Sequence, residues 1–217
     1  MTRLRIDRTH PLEPQLRDAI SAIRAGGVVA VPTDTLYGLA ADPRSAAAVD
    51  AIFFLKGRAA EKGLPLIASD VDQVVAITEM GPVARRVAEA FWPGPLTILL
   101  KSNVVFAPNV SGGEGVVAIR VPDDAVARAL ARGAGHVLTA TSANRSGQPA
   151  TADPDVVART LPDLLVLIDA GPCPGGAPST IVDLSDEPRL VRDGAVPWSR
   201  VLEFLGSPRV SDRRARQ

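Results

Sequence analysis

The sequence predicts an α/β fold built on a mixed sheet, and three observations predict it. Short apolar runs alternate along the 217-residue chain with segments whose apolar residues fall at helical spacing. Gly, Pro, Asp or Ser stands at most junctions between the two kinds of segment. Hydrophobic residues make up 46% of the chain and charged residues 22%, which is enough apolar material for a core and too much for a disordered chain.

In order, Pro11 and Pro14 open a helix carrying Leu16, Ile20 and Ile23, and Gly26-Gly27 ends it. The run 28–31 is a buried strand stopped by Pro32. Asp42-Pro43 starts a helix that continues to Leu55. Residues 57–64 form a loop and 65–68 a short strand. Ser69 or Asp70 caps a short helix carrying Val74, Val75 and Ile77, and Gly81-Pro82 opens another that reaches Phe91. Trp92-Pro93-Gly94-Pro95 breaks that helix into a rigid corner before a strand at 96–100. A loop rich in Asn, Pro and Gly (103–115) precedes a strand at 116–121. Asp123-Asp124 caps a helix to Ala131, and 137–140 is again a strand. Asp153-Pro154 starts a helix to Thr160, followed by a strand at 164–168. The Gly/Pro stretch 171–178 is an irregular loop, 179–184 and 189–191 pair as strands, and 197–205 is a last helix. Trp92, Phe53 and Phe54 are expected to pack in the interior. Nothing inside the chain resembles a linker, so residues 1–206 are expected to form one domain and 207–217 a basic, mobile tail.

Several function classes drop out. A single cysteine, Cys173, gives no disulfide framework, and with only His10 and His136 no Cys/His zinc site is expected. There is no Gly-Lys dipeptide for a phosphate loop, no complete Gly-x-Gly-x-x-Gly and no Gly-x-Ser-x-Gly. Cys173 lies between prolines and reads as a bystander rather than a nucleophile. The charged first ten residues are no secretory signal, and no run approaches the ~20 apolar residues of a membrane span. A cytoplasmic protein without membrane contact is expected.

The 24 basic and 24 acidic residues cancel, yet every cation but Lys56, Lys62 and Lys101 is an arginine. The tail holds Arg209, Arg213, Arg214 and Arg216 against Asp212, so the remainder of the chain is net acidic. An anion must therefore be held by a local cluster rather than a global field. Four clusters at strand ends offer one. Thr33 and Thr35 stand two apart beside Asp34, so their hydroxyls share a face in extended backbone; they grip a polar ligand or stabilise a turn. Lys56-Gly57-Arg58 ends a helix; the cations serve the helix dipole or, with Gly57 freeing the backbone, a phosphate. Ser142 and Asn144 leave a strand and suit phosphate or ribose, or an ordinary turn. Arg120, Ser179-Thr180 and Arg192 form a scattered fourth group; each arginine pairs with a nearby acid or joins a common anion pocket.

Taken as a set, the motifs resemble one family. Pro32-Thr33-Asp34-Thr35-Leu36-Tyr37-Gly38-Leu39, Lys56-Gly57-Arg58, Trp92-Pro93-Gly94-Pro95-Leu96-Thr97, Arg120-Val121-Pro122, Thr141-Ser142-Ala143-Asn144-x-Ser146-Gly147 and Ser179-Thr180-Ile181-Val182-Asp183 occur in that order. The set is similar to the YrdC-like family of L-threonylcarbamoyladenylate synthases, in its short, single-domain form. The resemblance implies a twisted mixed sheet with flanking helices around a deep cationic cavity. It implies formation of threonylcarbamoyl-AMP and pyrophosphate from L-threonine, bicarbonate and ATP, with Mg²⁺ accompanying ATP. The product would pass to partner transferase proteins that modify tRNA. By motif, Lys56, Arg58, Ser142, Asn144 and Arg192 would face ATP, with Lys56 and Arg58 catalytic, and Thr33, Tyr37, Arg120 and Ser179 would face threonine. Ala59 stands where the family commonly has Pro after Lys-x-Arg. Two other readings are a non-catalytic module that binds tRNA or double-stranded RNA through the tail, and a carbamoyl-transfer relative of the same fold.

Overall fold

In the computed structural model, which describes residues 1–57, 63–111 and 115–206, strand β2 (Val29–Val31) is buried on both faces. Such a strand needs a layer on each side. Val29 and Val31 pack with Leu16 and with Ile23 of α2 (Arg17–Arg24), which follows the single turn α1 (Leu12–Gln15), and with Val126 and Leu130 of α6 (Ala125–Ala134). Ala30, on the opposite face, joins a larger core with Ile52 of α3 (Ala46–Lys56), Val87 of α5 (Pro82–Phe91) and a second sheet.

The first sheet runs β1 (Thr2–Arg5), β10 (Val166–Asp169), β2, β3 (Gly38–Ala40), β9 (Thr141–Ser142). Its first three strands are parallel and the remaining pairings antiparallel. The second runs β12 (Arg189–Arg192), β11 (Thr180–Asp183), β6 (Leu96–Ser102), β7 (Val116–Arg120), β4 (Leu66–Ile67), β8 (Leu138–Thr139), with β5 (Thr78–Glu79) pairing β6 off that path. It too mixes parallel (β11–β6, β4–β7) and antiparallel pairs (β6–β7, β11–β12). The predicted mixed α/β class is thus realised as two sheets. They meet where β8 passes into β9: the Thr139 N–H donates to Ala41 O (3.1 Å), its hydroxyl donates to Leu39 O (3.2 Å), and the Ala41 N–H donates to that hydroxyl (2.9 Å).

Local chemistry explains where elements depart from expectation. The first predicted helix is two, separated at Leu16 (φ −94°, ψ 0°). The next does not begin at Asp42-Pro43. Asp42 is occupied by the Arg44 guanidinium and backbone N–H, so Ser45 caps α3 by accepting from Ala48 N–H. At its far end Gly57 adopts the left-handed conformation (φ 60°, ψ 41°), leaving Lys56 as the last helical residue. Asp70, not Ser69, caps α4 (Val71–Val75). Asp153 caps α7 (Pro154–Thr160), and α8 (Trp198–Leu205) closes the described chain. Phe53 is buried as expected, whereas Phe54 is 79% exposed, because neighbours on a helix point about 100° apart and only one of them can face the core. Trp92 is buried and donates its indole N–H to Leu96 O (2.6 Å), the packing role expected of it. The predicted tail, 207–217, lies outside the described residues.

Candidate functional site

A cavity of about 670 Å³ opens between the two sheets. Its lining includes the turn after β2 (Thr33, Thr35, Tyr37), the start of β6 (Thr97), the end of β7 (Arg120) and Ser142 of β9. Ser179, just before β11, and Arg192, the last residue of β12, complete the polar wall. Sites far apart in sequence converge because β11 lies parallel to β6, bringing Thr180 beside Leu96, and β9 lies antiparallel to β3, bringing Ser142 beside Gly38.

The turn after β2 is built by Thr33. Its hydroxyl donates to Leu36 O (2.7 Å) and accepts from Thr35 N–H (3.1 Å) and Leu36 N–H (3.3 Å), and it stands 3.1 Å from the Thr35 hydroxyl. The two hydroxyls share a face, as the spacing predicts, and the same bonds make the turn. This turn presents Asp34 to Arg120: Nη1 donates to Asp34 Oδ1 at 2.5 Å, with both side chains 8% exposed. Arg120 Nη2 reaches the Thr35 hydroxyl at 3.4 Å. Asp34 Oδ2 is buried with no hydrogen-bond partner among the described residues. Tyr37 is fully buried and donates its hydroxyl to Gly171 O (2.8 Å), and burial pushes its phenol well above the ordinary range, so it is neutral.

Across the cavity, Arg192 donates through Nε (3.2 Å) and Nη2 (2.7 Å) to Ser179 O, and through Nη2 (3.1 Å) to Ser179 Oγ. The Ser179 hydroxyl lies 2.8 Å from that of Thr97, which is almost fully buried. Burial, and secondly the charge on Arg120, hold the Arg192 guanidinium below its ordinary pKa. Two guanidinium groups thus sense each other across one cavity, an arrangement suited to an anion that bridges them.

Lys56 and Asn144 stand behind the wall rather than among its lining residues. The Lys56 ammonium donates to Ser142 O (2.6 Å), Asn144 O (3.1 Å) and Asn144 Oδ1 (3.2 Å), with Ser142 Oγ at 3.5 Å. The Asn144 amide nitrogen donates to Arg145 O (3.0 Å) and Gln148 O (2.5 Å). The ammonium therefore ties the end of α3 to the loop after β9. Arg58 lies outside the described residues. Of the other sequence-predicted residues, Thr33, Tyr37, Arg120, Ser142, Ser179 and Arg192 line one cavity, and Lys56 Nζ and the Asn144 backbone N–H both donate to Ser142 O.

Asp34, Thr97 and Thr141 are polar residues at this site that sequence reasoning did not single out. Asp34 carried a signal, being a carboxylate between two hydroxyls, but an Asp in a turn is ordinarily a local cap. Thr97 sits at the end of the Trp92 corner, and only the β11–β6 pairing brings it to Ser179. Among the described residues no group of three His, Cys, Asp or Glu side chains could hold a metal ion. The Cys173 thiol is buried, and burial pushes it from 9.0 up to about 11, so it is no nucleophile at neutral pH. No described helix is long and apolar enough to cross a membrane.

The Sua5/YciO/YrdC family, described as "Telomere recombination", matches residues 21–194. The threonylcarbamoyl-AMP synthase of Bacillus subtilis is 35% identical over 198 residues, which are 89% of this chain and 57% of that protein. The Alkalilimnicola ehrlichii protein of the same name is 39% identical over 180 residues, 82% of this chain and 90% of that protein. Sua5 of Pyrococcus abyssi, solved in complex with L-threonine, superposes with a TM-score of 0.87 at 33% identity, covering 96% of this chain and 61% of that one. The chain thus spans less than two thirds of the length of the first curated relatives it matches, 57% and 59%. Escherichia coli YciO, at 24% identity and a TM-score of 0.80, shares the fold.

Proposed function

The chain belongs to the Sua5/YciO/YrdC family, and on that premise we propose that it makes threonylcarbamoyl-AMP and pyrophosphate from L-threonine, bicarbonate and ATP. The observation that carries this reading is the convergence of Thr33, Arg120, Ser142, Ser179 and Arg192 on one cavity. At about 670 Å³ it lies within the range of small-ligand sites. Relatives similar over most of this chain are named for that product, and one was solved with L-threonine.

The chemistry fits these side chains. The threonine amine adds to bicarbonate and loses water to give a carbamate. A carbamate oxygen then attacks the α-phosphorus of ATP, and the bond to the β,γ-diphosphate breaks, releasing pyrophosphate. Neither step needs a protein nucleophile, which agrees with a protonated, buried Cys173. The requirements are alignment and cations near the developing phosphate charge. In this reading Arg192, Ser142 and the Lys56–Asn144 loop behind it serve ATP, joined by Arg58. Thr33, Tyr37, Arg120 and Ser179 serve threonine. Mg²⁺ would come bound to the phosphates and water, since the described residues around the cavity offer hydroxyls and guanidinium groups rather than a carboxylate cluster. The product would go to transferase proteins that place the threonylcarbamoyl group on tRNA.

The test is incubation with ATP, Mg²⁺, bicarbonate and each amino acid in turn, read as pyrophosphate and as the carbamoyl adenylate by mass. Product that requires both bicarbonate and L-threonine is expected. Pyrophosphate release indifferent to either one would end the proposal.

A further inference from the structure

We propose that Asp34 is a positioning residue that fixes the Arg120 guanidinium for the carboxylate of the amino-acid substrate; this rests on the function proposed above. Asp34 is not among the residues lining the cavity, whereas Arg120 is, so Asp34 reaches a ligand through the guanidinium rather than by contact. Both side chains are 8% exposed, and one short bond joins Arg120 Nη1 to Asp34 Oδ1.

The form of that bond is informative. An arginine–carboxylate pair made for stability is commonly a two-pronged fork, with both carboxylate oxygens engaged. Here Oδ2 is buried and bonds nothing among the described residues. The carboxylate holds the guanidinium at one nitrogen, and Thr35 touches a second at 3.4 Å. Of five N–H donors in the fork, three bond nothing among the described residues. A single-point grip anchored in a turn that the Thr33 hydroxyl braces sets the direction of Arg120 and occupies one of its donors rather than two. Arg192 lines the same cavity, and its pKa is lowered first by burial and second by the charge of Arg120.

This role and simple electrostatics predict opposite signs. If Asp34 mattered only through its charge, Asp34→Asn would make the cavity more cationic and tighten a carboxylate ligand. If it positions Arg120, the same change loosens it. The asparagine keeps an acceptor for Nη1 and replaces one unpartnered atom by another, so the turn should persist.

The experiment measures KM for L-threonine and for ATP, kcat, thermal unfolding and the calorimetric Kd for L-threonine. It uses the wild type, Asp34→Asn, Asp34→Glu, Arg120→Ala and the Asp34→Asn/Arg120→Ala pair. Expected for Asp34→Asn is a rise of about tenfold or more in both KM and Kd for L-threonine, with KM for ATP and kcat changed less than about twofold. Asp34→Glu should recover part of the loss, and Asp34→Asn should add nothing in the Arg120→Ala background. An unchanged or lowered KM for L-threonine overturns the proposal. So does a parallel loss in both substrates that follows unfolding, or full additivity in the pair. Wild-type protein that binds L-threonine but forms no adenylate would end the proposed reaction while leaving the Asp34 Kd comparison readable. Wild-type protein that binds no L-threonine would end both.

Discussion

Lys56, 4% exposed, holds three oxygens, one at the end of β9 and two in the loop after it, within 3.2 Å of its ammonium. Substituting Lys56→Ala leaves those buried acceptors short of a donor. The expected cost is about 2–4 kcal/mol of stability, read from urea unfolding. Because these bonds hold Ser142 of β9 at the cavity, the proposed reaction should also slow by roughly 10²-fold or more; a folded Lys56→Ala protein that turns over like the wild type would remove Lys56 from the catalytic set. Cys173 gives a prediction with the opposite functional outcome. Burial raises its pKa to about 11 from 9.0, so the native thiol keeps its proton at pH values where the unfolded thiol has lost it. The unfolded state then binds fewer protons, and stability falls as pH rises above 9.0, by about 1.4 kcal/mol per unit from this group until about pH 11. Cys173→Ala should remove that part of the alkaline slope in denaturation midpoints while leaving turnover at pH 7.5 unaltered. At this scale the sequence was informative about hydroxyls and cations but silent about partners. Arg120 was visible as a strand-end arginine, yet its choice between a surface acid and a shared anion pocket turned on Asp34, eighty-six residues away.

Among elements, the antiparallel pair β11–β12 carries the most consequence, because its two strands deliver Ser179 and Arg192. Gly194, just past β12, lies against the backbone entering β11. A Cβ there would stand 2.6 Å from both Ser179 C and Thr180 N, and closer still to Pro178 O. Backbone cannot yield as a side-chain tip can. Gly194→Ala should therefore cost about 2–3 kcal/mol and raise KM for L-threonine, since the strands must part where Ser179 and Arg192 meet. Unfolding curves and initial rates on the same preparation check both. The strands with apolar runs were legible in sequence; β1 was not. Thr2-Arg3-Leu4-Arg5 turns only Leu4, half-buried, toward the smaller core, and it is held otherwise by parallel backbone pairing with β10 and by Arg3, which bonds Asp169 and Asp155. Such an edge strand leaves no hydrophobic signature. The start of α3 was misplaced for a related reason. Asp42 and Ser45 are both competent caps, and only the side chain of Arg44, folded back on Asp42, decides between them.

For the molecule as a whole, the cavity belongs to no single layer: both sheets and the loops between them contribute walls. Ligand binding should then report on global stability rather than on one element. L-threonine or ATP at a hundred times its Kd should stabilise the fold by about 2.7 kcal/mol, a rise in Tm of roughly 5–10 °C for a chain of this size. Differential scanning calorimetry with each substrate checks it, and no shift with either one would argue against a cavity that accepts them. The α/β class and the order of motifs were readable because they depend on local pattern. The division into two sheets was not, because it rests on Thr139 bonding across the junction and on pairings between distant strands.

The pairing of Thr2 with Val166 has a consequence for biogenesis. On a ribosome β1 emerges long before β10 and stays without its neighbour until β10 has left the exit tunnel, and the Arg192 wall of the cavity follows later still. Non-local closure of this kind is slow and leaves sheet edges open to other chains in the meantime. A nascent chain that ends before residue 192 would lack the Arg192 wall of the cavity, and its unpaired strand edges would be open to pairing with other chains.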